Sequence, residues 1–240
     1  MSDDGSLPER GFEIQTPKLA GLAGENVLKR ILDVLNDTAS YITKACGLHI
    51  HLDTSDFTSK NYSVIKRLWM FYIVFEDVLL SFLPHSRRAN TYCLSIRDNY
   101  HFQEILTAKG KPQLEQLWYR LDDEKTIREQ KKGKYHSTRY NGLNLHAMFA
   151  MNHAEIRYHS GTTNAKKILE WVNLHARIFD TVQQDDALST IMSAKLLTDS
   201  AKKTAALFAG INLSPRSRAY FLSRQQLFSD TTTSDTEVTD

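Results

Sequence analysis

The fold is decided by residues 140–163, which read YNGLNLHAMFAMNHAEIRYHSGTT. Within this stretch, polar and apolar residues alternate from position 154 to position 159. Successive side chains point to opposite faces of a β-strand, so Glu155, Arg157 and His159 share one face and apolar side chains occupy the other. The alternation therefore predicts a half-buried strand whose polar face carries a carboxylate, a guanidinium and an imidazole.

Two more segments show the same alternation. Residues 46–53, CGLHIHLD, place His49 and His51 on one face of a predicted strand and leucine and isoleucine side chains on the other. Residues 11–16, GFEIQT, predict a shorter strand that presents Glu13. The strands together could assemble one polar site.

The rest of the chain is predicted to be mainly helical. Apolar residues recur at helical spacing in residues 25–36, 62–83, 101–121, 164–182, 185–197, 201–209 and 215–228. The charged run at residues 122–137 is predicted to be a surface excursion or lid. Residues 143–149 are predicted to be a strand that forms a hairpin with residues 153–159. Paired strands with helices covering one side predict an α+β fold.

Composition limits the classes of protein that the chain can be. Hydrophobic residues make up 41% of the 240 residues and charged residues 24%, which is typical of a globular protein. The 30 basic and 28 acidic residues give a net charge of +2, so we predict no specific nucleic-acid partner. There is no apolar signal core and no apolar run of roughly 18–20 residues, so we predict no membrane association. Two cysteines without metal-ligand spacing favour a reducing compartment, and a cytoplasmic location is predicted.

The polar residues have both a functional and a structural interpretation. The imidazoles at positions 49 and 51 can ligate a metal or hold a substrate, or they can lie on a solvated sheet face. Glu155 and Arg157 can bind a metal and its phosphate, or can form an ion pair within the sheet. Arg87 and Arg88 can bind an anion or be solvated, and backbone amides near Thr162 can contact a phosphate. Residue chemistry alone leaves these alternatives open.

Five segments occur in one order along the chain: EIQTPKLAG (13–21), CGLHIHLD (46–53), PHSRRANTYC (84–93), YNGLNLH (140–146) and AEIRYHSGTTNAKKILEWVNL (154–174). In this order they resemble the amidoligase family, which is related to the glutamine synthetase and glutamate–cysteine ligase group of carboxylate–amine ligases. The resemblance covers roughly residues 11–182 and is more specific than any single motif.

The resemblance implies a curved antiparallel sheet backed by helices, as in the catalytic fold of glutamine synthetase, followed by C-terminal helices. It also implies that ATP and Mg²⁺ bind on the concave face of the sheet. Such enzymes phosphorylate a carboxylate and let an amine attack the acyl phosphate, which yields an amide, ADP and phosphate. The expected partners are a small-molecule or peptide carboxylate and an amine donor.

The resemblance also assigns roles to residues. Glu13, His49 and Glu155 match metal ligands of the family, since the metal ions that neutralise a polyphosphate need hard oxygen ligands with some imidazole. Arg157 is expected to stabilise the transferred phosphoryl group, and His51 is expected to lie beside the metal or the nucleotide.

Four further residues complete the predicted site. Arg87 and Arg88 lie in a family motif and are expected to grip a substrate carboxylate or phosphate. We predict that Arg87 acts in catalysis with His51 and Arg157, and that the nucleotide is bound by Arg88, His159, Thr162 and Arg157.

The predicted organisation is a flexible leader (1–10), an amidoligase-like domain (11–182), a C-terminal helical extension (183–228) and a disordered tail (229–240). The family usually opens with a further G-x-E-x-E strand, so we expect either a truncated or degenerate ligase, or a chain whose site is completed by a partner chain or in a homo-oligomer. The alternative is a non-catalytic module that uses the same fold for binding or assembly. A metal-dependent hydrolase ranks last, because the histidines lack a spacing such as HExxH.

Overall fold

The computed structural model of the chain describes residues 2–3, 12–38, 40–43, 45–55, 57, 62–88, 90–133 and 135–229. The predicted flexible leader lies largely outside these residues. The predicted disordered tail lies outside them beyond Ser229.

The main sheet has three antiparallel strands in the order β3–β5–β4. They are β3 (Gly47–Asp53), β4 (Leu143–Asn144) and β5 (His153–Ser160). The short strands β1 (Ser2–Asp3) and β2 (Phe12–Glu13) form a separate antiparallel pair. With helices around the sheet, the predicted α+β class is confirmed.

Helices account for most of the remaining described residues. They are α1 (Gly21–Asp37), α2 (Tyr62–Ser81), α3 (Ile96–Asn99), α4 (Phe102–Thr107), α5 (Lys111–Tyr119), α6 (Glu124–Lys132), α7 (His146–Met151), α8 (Ala165–Val182), α9 (Ala187–Lys195), α10 (Ser200–Gly210) and α11 (Pro215–Leu227). The predicted helix at residues 101–121 is divided between α4 and α5. The charged run at residues 122–137 contains α6, and the side chain of Ile127 on this helix is buried in the core.

The predicted hairpin is wrong for most of its first strand. Only Leu143 and Asn144 pair with β5, and the following residues form α7. The sequence HAMFAM is rich in alanine and methionine, which are good helix formers, and it has no polar and apolar alternation. Asn152 then ends the helix in the left-handed conformation, with φ of 59°.

Strand β5 was expected to be half-buried, and this expectation is also wrong. All six residues from Ala154 to His159 are buried. Its apolar face packs on α2, where the Tyr158 hydroxyl donates to Glu76 Oε1 at 2.8 Å. Its polar face is also covered, because the Tyr92 carbonyl and the Tyr140 ring approach Arg157.

Helix α2 is the centre of the core. Trp69, Tyr72 and Phe75 on this helix are completely buried. The C-terminal helices cover one end of α2, because the rings of Phe208 and Phe221 lie 6.0 and 5.0 Å from the Phe82 ring. Strand β5 therefore lies between this core, which its apolar face contacts, and the segments of Tyr92 and Tyr140, which cover Arg157 on its polar face.

Candidate functional site

Three polar side chains predicted from the sequence meet around the carboxylate of a fourth predicted residue, Glu155. Glu155 Oε1 lies 2.6 Å from Arg157 Nη1, 3.2 Å from His49 Nδ1 and 3.9 Å from His51 Nε2. The second oxygen, Oε2, accepts a hydrogen bond of 2.6 Å from Asn144 Nδ2. We call this group, Asn144, His49, His51, Glu155 and Arg157, the Glu155 cluster.

Strand register explains why these residues meet. His51 on β3 and Asn144 on β4 are both opposite Glu155, which lies on the central strand. An irregularity in the β3–β5 register between Leu48 and Ile50 lets His49 reach the same carboxylate as His51. The site is therefore built from all three strands of the sheet.

Burial and charge set the ionisation of the cluster. Burial alone would raise the pKa of Glu155, but the guanidinium of Arg157 and then His49 act more strongly together, and its pKa lies below the ordinary value. Burial, reinforced by Arg157, lowers the pKa of His49 to about 4. Burial also lowers the pKa of His51, against the opposing effect of Glu155. At neutral pH the cluster thus holds an ionised carboxylate paired with arginine and two uncharged imidazoles.

Arg87 belongs to the site region but faces the backbone. Its guanidinium is buried and donates to the carbonyl oxygens of Tyr158 at 2.9 Å and Arg157 at 2.8 Å. Burial lowers its pKa. Through these two bonds Arg87 fixes β5 where Arg157 projects from it, so its visible contacts are those of a positioning residue.

Three other predicted site residues have partners elsewhere. Arg88 is exposed and donates to the Phe228 carbonyl after α11 at 3.2 Å. Thr162 accepts a hydrogen bond from the Asn164 amide in the turn before α8. The ring of buried His159 lies 5.3 Å from the Trp171 ring, and burial lowers its pKa to about 4.

Glu13 lies close enough to His51 for its charge to raise the pKa of that imidazole, although burial has the larger, opposite effect. The predicted ligands Glu13, His49 and Glu155 nevertheless do not form a three-ligand site. Among the described residues, no group of three histidine, cysteine, aspartate or glutamate side chains is placed to hold a metal ion.

Asn144 and Tyr140, to which the family resemblance assigns no role, also lie at the site, together with Tyr92. The carbonyl of Tyr92 accepts from Arg157 Nε at 3.4 Å, and the guanidinium carbon of Arg157 lies 6.0 Å from the centre of the Tyr140 ring. The contact of Asn144 with Glu155 depends on the β4–β5 register, which the sequence pattern alone does not provide. No helix in the described part of the chain is both long and apolar enough to cross a bilayer.

A family model described as "putative amidoligase enzyme" matches residues 2–179. The chain belongs to this amidoligase family. The match confirms the predicted resemblance and contains every residue of the Glu155 cluster. Membership of the amidoligase family supports a ligase-type function in general terms. No curated protein and no solved structure gives a significant match to the chain.

Proposed function

We propose that the chain is an ATP-dependent carboxylate–amine ligase that forms an amide through an acyl phosphate. The observation that carries this proposal is the buried Glu155–Arg157 pair, with two histidines on the same carboxylate, inside the segment matched by the amidoligase family. In this reaction a carboxylate oxygen bonds to the γ-phosphorus and ADP leaves. The amine nitrogen then attacks the acyl carbon and phosphate leaves.

The residues of the cluster have properties suited to these steps. Phosphoryl transfer depends mainly on positioning and on electrostatic stabilisation of the transferred group. Arg157 supplies a guanidinium whose orientation is fixed by Glu155 and by the Tyr92 carbonyl. His51 has a lowered pKa and a side chain that is 52% exposed, so it is an uncharged base able to accept the proton lost by the amine.

The donor set at Glu155 suits the coordination that Mg²⁺ prefers. This ion usually binds through one or two carboxylates together with substrate phosphates and water, not in an all-protein cage. Glu155 offers one carboxylate, and Glu13 is in electrostatic range of His51. The residues therefore fit a magnesium ion that arrives with a nucleotide, and Mg²⁺–ATP would supply the activating phosphoryl group. Arg157 would then exchange part of its contact with Glu155 for a contact with phosphate.

One observation favours the second candidate, a non-catalytic amidoligase-fold module for binding or assembly. Both oxygens of Glu155 are already engaged, by Arg157 and Asn144. Under this interpretation the pair is a structural crosslink within the sheet and the chain binds no nucleotide.

Calorimetric titration of ATP with and without Mg²⁺ separates the two candidates. We expect Mg²⁺-dependent binding by the wild-type chain and its loss in Glu155→Gln. Glu104→Gln, which removes one exposed carboxylate from α4, is the matched control and should bind as the wild type does. Release of ADP with a panel of carboxylates and amines, and detection of the amide by mass spectrometry, tests catalysis directly.

Glu155→Gln also leaves the buried Arg157 without its counter-charge, so its folding must be measured by circular dichroism. His49→Gln provides a second variant that keeps the ion pair intact. A folded wild-type chain that neither binds ATP nor releases ADP would refute the ligase and support the binding module.

A further inference from the structure

A group of aromatic and cationic side chains adjoins the Glu155 cluster. The guanidinium carbon of Arg139 lies 4.5 Å from the centre of the Tyr135 ring and 5.2 Å from the centre of the Tyr140 ring. Arg157 approaches the same Tyr140 ring at 6.0 Å. We call Tyr135, Arg139 and Tyr140 the arginine stack.

The side chain of Arg139 is oriented by two aromatic rings. Among the described residues, it donates no hydrogen bond to a side chain or carbonyl group and forms no ion pair with a carboxylate. A guanidinium carries five N–H donors in a planar fork that matches carboxylate and phosphate groups. Stacking on aromatic rings restricts this fork while leaving its edge free to donate.

The arginine stack is held in place by the backbone next to the cluster. Arg139 and Tyr140 lie in a 3-10 turn at Ser137–Tyr140, which ends two residues before β4 begins. The Tyr140 carbonyl accepts a hydrogen bond from the Leu94 amide at 2.7 Å. The turn that contains Arg139 thus leads into the strand that supplies Asn144 to the cluster.

We propose that Arg139 is a second anion-binding guanidinium of the site and that, together with Arg157, it grips an oxyanion of the ligand. This inference rests on the proposed function, because it takes the Glu155 cluster as the reaction centre. Two ligands carry the required chemistry, the phosphates of a nucleotide and a non-reacting carboxylate of the acid substrate. Arg139 is assigned to binding and specificity, since it shares the Tyr140 ring with Arg157 but does not belong to the Glu155 cluster.

The test uses the full chain and two probes, inorganic triphosphate and glutarate, titrated by calorimetry. Arg139→Met should weaken binding of at least one probe by about tenfold or more, as expected for loss of a charge-assisted hydrogen bond. Arg139→Lys should restore only part of the affinity, because lysine keeps the charge but lacks the planar fork. Arg128→Met, which removes an exposed arginine from the neighbouring α6, is the matched control and should stay close to wild type.

Each outcome decides a separate point. A loss confined to triphosphate assigns Arg139 to the nucleotide, and a loss confined to glutarate assigns it to the acid substrate. Equal affinities of Arg139→Met and Arg128→Met for both probes would overturn the proposal, as would a folded wild-type chain that binds neither probe. If the chain forms an amide and Arg139→Met keeps the wild-type KM for both substrates, the proposed role of Arg139 is refuted and the proposed ligase activity is supported. If triphosphate binding depends on Arg139 but no amide forms, the proposed ligase activity is refuted and anion binding by Arg139 is supported.

Discussion

Glu76 is a buried carboxylate whose replacement should be costly, although it lies outside the Glu155 cluster. Only 2% of Glu76 is exposed, and its two oxygens accept four hydrogen bonds. Oε1 accepts from the Ile96 amide at 2.7 Å and the Tyr158 hydroxyl at 2.8 Å. Oε2 accepts from the Ser95 hydroxyl at 2.6 Å and the Arg97 amide at 3.0 Å. The carboxylate therefore connects α2 to β5 and to the start of α3.

The change Glu76→Gln keeps the shape of this side chain but turns one acceptor oxygen into an NH₂ donor. The hydroxyl of Ser95 or Tyr158 can rotate to accept from that group, but a backbone amide cannot, so either the buried amide of Ile96 or the part-buried amide of Arg97 loses its partner. Such a donor costs about 1–3 kcal/mol, and the remaining bonds lose their assistance from charge. We expect a loss of about 3 kcal/mol in the free energy of unfolding, which corresponds to a melting temperature lower by roughly 6–12 °C.

Urea denaturation followed by circular dichroism measures this loss. Tyr158→Phe removes one of the four donors and should cost about 1 kcal/mol, which gives a graded comparison. Glu104→Gln at an exposed site of α4 should have little effect. A Glu76→Gln chain whose free energy of unfolding stays within about 1 kcal/mol of wild type would refute the reasoning, because the four bonds would then contribute far less than their geometry implies.

Two further predictions concern packing and pH. A β-carbon added at Gly142 would clash with Cε1 of buried Tyr158. Gly142→Ala should therefore lower the free energy of unfolding, measured by urea denaturation, by at least about 1–3 kcal/mol, as is usual for overpacking, and an unchanged value would contradict this contact. The pKa values of His49, His159 and His175 are lowered by burial to about 4, 4 and 3, so the unfolded chain takes up protons below its ordinary histidine pKa while the folded chain does not. The contribution of these three histidines to stability should therefore be constant above about pH 7 and fall from about pH 6.5 towards pH 4, by up to about 1.4 kcal/mol per pH unit for each histidine. Equal urea midpoints at neutral pH and at about pH 5 would contradict this prediction.

Local sequence patterns predicted the parts of the fold that depend on short-range periodicity. Alternation in β3 and β5 identified the residues that carry the cluster, because side-chain direction in a strand is set by the backbone alone. Residues 145–149 could not be assigned in this way, since a short apolar run fits a strand or a buried helix equally well. The burial of both faces of β5 was also unpredictable, because it depends on distant segments that cover Arg157.

The finer arrangement of the site depends on contacts between residues far apart in the sequence. Arg87 was expected to face a ligand, but its donors reach carbonyl groups on β5 that lie 70 and 71 positions further along the chain. The convergence of His49 and His51 on one oxygen requires the irregular β3–β5 register. Neither feature can be predicted from the order or spacing of residues. A family resemblance indicates which residues correspond, but it does not indicate how their side chains are oriented.

The contacts of α10 and α11 with the end of α2 have a practical consequence for the design of expression fragments. The family match ends at residue 179, inside α8, whereas Phe82 is covered by Phe208 and Phe221, and Lys203 pairs with Asp77 on α2 at 2.7 Å. A fragment cut at the edge of the match would uncover apolar side chains of α2 and would be prone to aggregate. Purification tags and fusion partners are therefore best attached after α11, so that α10 and α11 keep their contacts with the end of α2.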